Sequence, residues 1–111
     1  MTYRSLHFVG IGGIGMSGLA QLARAAGLEV SGSDRGADRP ENQRIFRAFA
    51  AQGIRVFPQD GSFADHVRPD ALVYSSAIEN DNPDFARIPE LPRLHRSLAL
   101  QLAIQRAGVA P

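Results

Sequence analysis

The hydrophobic pattern changes period along the chain, and each change predicts the next element of secondary structure. Residues 6–9 (LHFV) form a short, mainly apolar run that stops at glycine, which is typical of a buried parallel strand. From residue 14 to residue 26 the spacing becomes helical, and one face collects Ile14, Leu19, Leu22, Ala23 and Ala26. Gly27 follows, where a helix end requires a positive φ. This region therefore predicts a strand, a tight turn and a helix.

The alternation of strands and helices continues along the chain. Further strands are predicted at 28–34 (LEVSGSD), 54–57 (IRVF), 71–77 (ALVYSSA) and 93–95 (RLH). Pro40 suits a first helical turn, and the helix that follows takes its apolar stripe from Ile45, Phe46 and Phe49. Gly53 then ends this helix.

Two more helices are predicted in the second half of the chain. Asn82 is suited to cap a short helix that has Pro83 at its first position. The last helix carries the apolar residues Leu98, Leu100, Leu102 and Ile104. Because strands alternate with helices, right-handed crossovers should give a parallel sheet with helices on both faces. We predict an α/β fold, a single Rossmann-like, doubly wound domain over 1–111, with five strands in the order 3-2-1-4-5.

Composition narrows the possible functions. The 111 residues are 44% hydrophobic and 21% charged with a net charge of +1, which fits a soluble domain and favours neither nucleic acid nor membrane as a partner. The absence of cysteine excludes disulfides and thiolate metal sites. His7, His66 and His95 lack metal-ligand spacing, so no metal site is expected, and His7 is interpreted as a core residue with satisfied hydrogen bonds. We expect a cytoplasmic protein.

The basic residues exclude one mode of ATP binding. All twelve are arginine, and the chain contains no lysine. A P-loop needs its lysine to reach the β- and γ-phosphates, so this chain does not hold ATP in that way.

Three polar segments should meet where the strands end, because ligands of such sheets bind beyond the carboxyl ends of the strands at the switch point. The first is the glycine-rich loop, residues 10–15, whose G-x-G-x-x-G spacing lets the backbone approach a pyrophosphate at a helix N-terminus. The second is Ser33 with Asp34, whose carboxylate is placed to accept hydrogen bonds from a ribose or a base. The third is Ser75 with Ser76, across the crevice.

Each segment also has a purely structural interpretation. The glycines serve close strand–helix packing, Asp34 caps a turn, and the two serines end a strand. Asn82 is a helix cap, which does not exclude a ligand contact. Arg96 follows the predicted fifth strand, and we expect its side chain to project toward the crevice. Since no paired base and nucleophile can be assembled, we predict binding without catalytic residues in this chain.

The sequence resembles a known family across nearly its whole length. The segments "HFVGIGGIGMSGLA", "VSGSD" and "YSSAIENDNP", in this order, are similar to the N-terminal domain of the Mur ligases of peptidoglycan synthesis, and within them to the UDP-N-acetylmuramate–L-alanine ligases. The resemblance covers about residues 6 to 104. The combination is much more specific than the glycine motif alone.

The resemblance implies a three-domain enzyme whose first domain holds the UDP part of UDP-N-acetylmuramate. ATP and Mg²⁺ would bind to a central domain and L-alanine would involve a third, both absent from this chain. Here 1–111 would be the first domain, ending just before the ATP loop. The enzyme would activate the muramyl carboxylate as an acyl phosphate, which the incoming amine attacks.

The resemblance also implies which residues bind. The diphosphate would lie on Gly10, Gly12, Gly13, Ile14, Gly15 and Met16. The uridine would lie near Ser33 and Asp34, with Ser75, Ser76 and Ala77 opposite, Asn82 shaping that loop and Arg96 supplying a basic group. The chain departs from the pattern at 58–62, where "PQDGS" replaces the family's Gly-His pair and leaves Asp60 as a speculative substitute.

Three alternatives remain open. The ligase that adds a ready-made murein tripeptide to UDP-N-acetylmuramate has a similar first domain. An NAD-binding domain of a dehydrogenase or a transport regulator shares the glycine loop and the acidic residue after the second strand. A freestanding, non-catalytic sensor of a cell-wall precursor would also fit.

Overall fold

The five strands of the computed structural model, which describes residues 3–76 and 78–108, form one parallel sheet. The strands are β1 (Ser5–Val9), β2 (Glu29–Asp34), β3 (Arg55–Pro58), β4 (Ala71–Tyr74) and β5 (Arg93–His95). Their order is β3-β2-β1-β4-β5, and every neighbouring pair is parallel. The predicted fold class and strand order are therefore confirmed, and the switch point lies between β1 and β4.

Among the described residues, four helices and two 3₁₀ turns accompany the strands. They are α1 (Met16–Ala25), a 3₁₀ turn (Pro40–Asn42), α2 (Gln43–Ala51), a second 3₁₀ turn (Ser62–Asp65), α3 (Pro83–Arg87) and α4 (Arg96–Arg106). The Asn82 side chain accepts a hydrogen bond from the amide of Asp84, which confirms the predicted cap with Pro83 at the first position of α3. In the described residues, no helix has both the length and the apolar character that crossing a bilayer requires.

One face of the sheet, the helix-rich face, is covered by α1, α2 and α4 and packs a purely apolar cluster. From the strands it receives Leu6 and Phe8 of β1, which alternate with residues of the opposite face. The helices contribute Met16, Leu19, Ala20, Ala23, Phe46, Phe49, Ala99 and Ala103. All of these side chains are buried, so this face forms the main hydrophobic core.

The other face, the polar face, is covered only by α3 and the second 3₁₀ turn. Its apolar cluster is smaller and consists of Val9, Phe57, Phe63, Leu72, Phe85 and Ile88. Among the described residues, five buried polar residues accompany this cluster: His7, Ser31, Ser33, Asn82 and Asp84. Because buried polar atoms require hydrogen-bond partners, this face is held by directional contacts as well as by packing.

The predicted apolar face of the first helix is partly wrong. The side chains of Ile14 and Leu22 are exposed, and Ala26 is only half-buried. The helical register starts at Met16 after a tight turn, so Ile14 lies in the turn outside the register. Ile11, further back in the turn, is the residue that enters the core.

The predicted apolar positions of two other helices also need correction. In α2, Phe46 and Phe49 are buried as expected, while Ile45 is exposed. In α4, Leu98 and Leu100 are 50% and 42% exposed, and Leu102 and Ile104 are half-buried. The helix instead buries Ala99 and Ala103, four residues apart on one face, and these small side chains permit close packing in the core.

Strand boundaries differ slightly from the prediction. The fourth strand ends at Tyr74 rather than at residue 77, because its pairing partner β5 ends at His95, where α4 begins. Ser75 and Ser76 therefore lie in the segment beyond the strand.

Candidate functional site

A crevice with a volume of about 410 Å³ opens at the carboxyl ends of the strands. It is lined by Gly10, Gly13, Ile14, Met16, Asp34, Arg35, Gln59, Ser75 and Ile78. These residues come from the segments after β1, β2, β3 and β4. The crevice lies where the topology predicts a ligand site.

The glycine-rich loop is fixed to the end of β2 by backbone hydrogen bonds and by side-chain packing. The amides of Gly10 and Ile11 donate to the carbonyl oxygen of Ser33 at 2.8 and 3.0 Å. The Ile11 side chain packs on Gly32, where an added Cβ would lie 2.5 Å from the isoleucine Cδ1. Gly32 therefore has to be glycine for the loop to sit this close to the sheet.

Asp34 stabilises the turns at the end of β2. Its Oδ2 accepts a hydrogen bond from the amide of Gly12 at 2.8 Å, and its Oδ1 accepts one from the amide of Gly36 at 2.8 Å. Asp34 thus joins the glycine-rich loop to the loop after β2. The structural interpretation, a carboxylate that caps a turn, holds in this geometry, while its half-buried side chain still lines the crevice.

The far end of the glycine-rich loop presents an anion-binding arrangement. Within residues 3–76 and 78–108, the amides of Ile14 and Gly15 donate to no protein acceptor. Gly15 has a φ of +81°, and an added Cβ would lie 2.6 Å from an Nη atom of Arg96. Free amides at the N-terminus of α1 and an adjacent guanidinium are the groups that bind phosphate.

Ser76 and His95 contact each other on the other side of the crevice. The Nδ1 atom of His95 accepts from the amide of Ser97 at 3.3 Å, so the ring carries its proton on Nε2. That Nε2 lies 3.5 Å from Ser76 Oγ and donates toward it. His95 is thus the N-cap of α4 and orients Ser76, a role that the sequence analysis missed because histidine is not a common cap.

Two of the predicted site residues have side chains that are directed away from the crevice. Ser33 is fully buried, and its Oγ donates to Asp84 on the polar face. Asn82 is also buried, and its side chain caps α3. Ala77 lies outside the described residues. A ligand contact by any of these three residues stays a prediction.

Asp60, the speculative substitute for the family's histidine, accepts a hydrogen bond from the amide of Ser62. Hydrogen bonds from Ser62 hold the pKa of its exposed carboxyl below the usual value. The residue that lines the crevice from this loop is Gln59. No pattern in the sequence distinguishes Gln59 from its neighbours, and Arg35 and Ile78 were missed for the same reason.

A buried polar cluster lies on the polar face behind the glycine-rich loop. The Asp84 carboxylate accepts from Ser33 Oγ and, at 3.0 Å, from the amide of Gly61. The Nε2 atom of His7 lies 3.7 Å from Asp84 Oδ2, and its Nδ1 lies 2.8 Å from Ser31 Oγ. Burial lowers the pKa of His7 despite the nearby carboxylate. The predicted core position of His7 is confirmed, but the expectation of satisfied hydrogen bonds is only half met, because Nδ1 is paired while Nε2 faces Asp84 without a hydrogen-bond partner among the described residues.

The fold and the crevice together define a doubly wound α/β domain with an open crevice at its switch point. Comparison with known proteins then identifies the family, because the model described as "Mur ligase family, catalytic domain" matches residues 5–107. The chain belongs to the Mur ligase family, as its sequence motifs predicted.

The relatives are UDP-N-acetylmuramate–L-alanine ligases. One from Streptomyces avermitilis is 45% identical over 98 residues, which are 85% of this chain and 20% of the relative. One from Xanthomonas campestris pv. campestris is 42% identical over 98% of this chain and 22% of the relative. The chain thus spans about a fifth of the length of these relatives.

Solved structures of murein peptide ligases share the fold. The UDP-N-acetylmuramate:L-alanyl-γ-D-glutamyl-meso-diaminopimelate ligase from Neisseria meningitides superimposes with a TM-score of 0.70 at 30% identity, covering 84% of this chain and 28% of that one. The murein peptide ligase from Psychrobacter arcticus also gives a TM-score of 0.70, at 25% identity, covering 88% of this chain and 20% of that one.

Proposed function

We propose that this chain is the N-terminal, UDP-N-acetylmuramate-binding domain of an ATP-dependent UDP-N-acetylmuramate–L-alanine ligase of peptidoglycan synthesis. The single observation that carries the proposal is the anion site formed by the free amides of Ile14 and Gly15 and the guanidinium of Arg96. It faces a crevice large enough for a nucleotide. The names of the relatives supply the particular nucleotide sugar.

In this proposal the residues around the crevice have distinct tasks. The amides of Ile14 and Gly15 donate to the diphosphate, and Arg96 neutralises part of its charge. Ser75 contributes a hydroxyl from the opposite wall, and Ile14 provides an apolar surface for the ligand. Asp34 keeps the loop in place through Gly12 and retains unused lone pairs for a ribose hydroxyl.

ATP, Mg²⁺ and L-alanine are assigned to other domains of the whole protein. The chain has no lysine for a phosphate loop. Among the described residues, no group of three or more His, Cys, Asp or Glu side chains is placed to hold a metal ion. In this proposal the domain binds and orients the nucleotide sugar in a cytoplasmic enzyme, and the other domains carry out the acyl-phosphate chemistry.

The ligase that transfers a murein tripeptide is a second candidate. It is favoured by the structural similarity to the two murein peptide ligases. The curated relatives, at 42% and 45% identity, favour L-alanine instead. Assaying the whole protein with L-alanine and with the tripeptide as alternative acceptors distinguishes the two.

The binding proposal is tested by titrating the chain with UDP-N-acetylmuramate, UDP and NAD⁺ in parallel, followed by amide NMR. We expect the uridine nucleotides to shift the signals of residues 12–15 and Ser75. Shifts of these signals with NAD⁺ and none with UDP would instead support the dehydrogenase-like alternative.

Two arginine variants test where the diphosphate binds. Arg96→Gln should weaken UDP binding about tenfold, because a charge-assisted hydrogen bond to phosphate is lost. Arg106→Gln changes the same charge at the other end of α4 and should leave the dissociation constant within twofold. Equal affinities of the two variants in isothermal titration calorimetry would contradict the proposed anion site.

A further inference from the structure

Asp84 is a fully buried carboxylate, and its hydrogen-bond partners among the described residues are Ser33, Gly61 and Asn82, none of which lines the crevice. It lies at the second position of α3, where its amide donates to Asn82 Oδ1 at 2.9 Å. Its two oxygens accept from Ser33 Oγ and from the amide of Gly61. A buried carboxylate is costly unless it is well paired, so its presence here calls for an explanation.

The partners of Asp84 belong to three segments that reach the crevice. Ser33 is the residue whose carbonyl oxygen holds the amides of Gly10 and Ile11, so it links the carboxylate to the glycine-rich loop. Gly61 belongs to the loop after β3, which supplies Gln59. The third segment is the one after β4, which leads through Asn82 into α3.

Close packing leaves these segments little freedom to move independently. Gly61 has a φ of +86°, and an added Cβ would lie 3.2 Å from the carbonyl oxygen of Pro83 and from Cβ of Arg87. The loop after β3 therefore contacts the backbone of α3 directly. His7, whose ring stacks on Phe63 at 3.9 Å, occupies the remaining side of the carboxylate.

The carboxylate offers an acceptor to each of these partners. The Ser33 hydroxyl and the Gly61 amide both donate, and the Nε2 atom of His7 faces the same carboxylate. An asparagine amide has one acceptor oxygen, so if that oxygen pairs with Gly61 the Ser33 hydroxyl has to turn and accept from the NH₂ group. An amide of the same shape therefore reverses the Ser33 hydrogen bond and leaves the hydroxyl proton without its present acceptor.

We propose that Asp84 is a positioning residue for nucleotide binding, which fixes the glycine-rich loop, the loop after β3 and the segment after β4 relative to one another. It acts through Ser33 and Gly61 and does not touch the ligand. The effect on affinity rests on the proposed function, whereas the effect on the loop is independent of any ligand.

The decisive variant is Asp84→Asn, which keeps the shape and removes one acceptor. In the free chain it should shift the amide NMR signals of Gly10 and Ile11. It should also weaken UDP binding about tenfold in calorimetry, since the loop no longer holds its binding arrangement. Ser33→Ala, which removes only the hydroxyl link, should shift the same two signals with a smaller loss of affinity, and it serves in place of Asp84→Asn if that variant does not fold.

Ile88→Ala is the matched control. It removes a buried side chain from the same face, with no polar contact to the loops, so it lowers stability without changing affinity. Unchanged Gly10 and Ile11 signals in Asp84→Asn, or an equal loss of affinity in Ile88→Ala, would overturn the positioning role. Failure of the unmodified chain to bind UDP would refute the proposed function instead, and the amide signals would still decide the role of Asp84.

Discussion

The two faces of the sheet hold the same loop by different physical means. On the helix-rich face, Ile11 packs against Gly32 within an entirely apolar cluster. On the polar face, the next residue, Ser33, donates to Asp84 while its carbonyl oxygen accepts from the loop. Because neighbouring strand residues point to opposite faces, Gly32 receives Ile11 on one face and the Ser33 side chain is anchored to Asp84 on the other, while the Ser33 carbonyl oxygen holds the loop within the sheet.

The two faces contribute differently to the stability of the domain and to the placement of its loops. Apolar packing is non-directional and supplies most of the stability, so the helix-rich face carries the three longer helices. Hydrogen bonds contribute little net free energy but fix distances and angles, so the polar face is suited to placing loops. Variants on the two faces should therefore differ in what they damage.

The largest effect is expected for Phe8→Ala on the helix-rich face. Phe8 is fully buried on the central strand, and its truncation should lower the free energy of unfolding by about 3–5 kcal/mol. Urea denaturation measures this loss, with Leu98→Ala as a control that removes an exposed apolar side chain and should cost less than about 0.5 kcal/mol. A loss below about 1 kcal/mol for Phe8→Ala would show that this face is not the main source of stability.

A smaller effect is expected for Gly32→Ala. Gly32 lies where the helix-rich face meets the glycine-rich loop of the site. The added methyl would overlap Ile11 and push the loop outward, which should cost about 1–3 kcal/mol and weaken UDP binding. Gly18→Ala makes the same chemical change in α1 with no atom within 4 Å of the new methyl, so it should leave affinity unchanged and stabilise the helix slightly. If both variants bind UDP equally well, packing on this face does not hold the loop.

The smallest expected effect is a pH dependence of the free energy of unfolding, which arises from the polar face. Burial lowers the pKa of His7, so below about pH 6.5 the unfolded chain binds a proton that the folded chain does not. Unfolding then takes up a proton, and stability should fall from about pH 7.5 to about pH 5.5, by at most about 1.4 kcal/mol per pH unit. The lowered pKa values of the Asp60 and Asp70 carboxyls add stability at neutral pH, and this contribution is lost only at more acidic pH.

His7→Phe tests this assignment. The phenyl ring retains an aromatic side chain beside Phe63 and cannot bind a proton, so urea unfolding of this variant should depend less on pH than that of the unmodified chain. The same slope in both proteins would assign the dependence to other groups.

The sequence was sufficient to predict the strand order, because strands, glycines and capping residues act locally. Asn82 with Pro83 capped α3 as expected, and the glycine-rich loop followed β1. It was not sufficient to predict which apolar residues of α1 and α4 are buried. Those depend on where a helical register starts and on close packing through Ala99 and Ala103, both of which tertiary contacts decide.

The part of the candidate site that consists of backbone groups could be predicted from the sequence. Glycine spacing predicts the glycine-rich loop, whereas Ser33 and Asp84, which are hydrogen-bonded to each other, lie 51 residues apart in the chain and share no sequence pattern. Gln59 and His95 were missed for the same reason, since each acquires its role only from its neighbours in space. The family resemblance supplied the nucleotide, which the residues alone did not specify.

The exposed side chain of Ile14 has a thermodynamic consequence. It stands entirely in water at the mouth of the crevice, where a bound nucleotide would cover it. Its dehydration would give binding a negative change in heat capacity, in addition to the electrostatic attraction of the phosphates. The hydrophobic part of the affinity would then weaken on cooling, as the burial of a small apolar surface does.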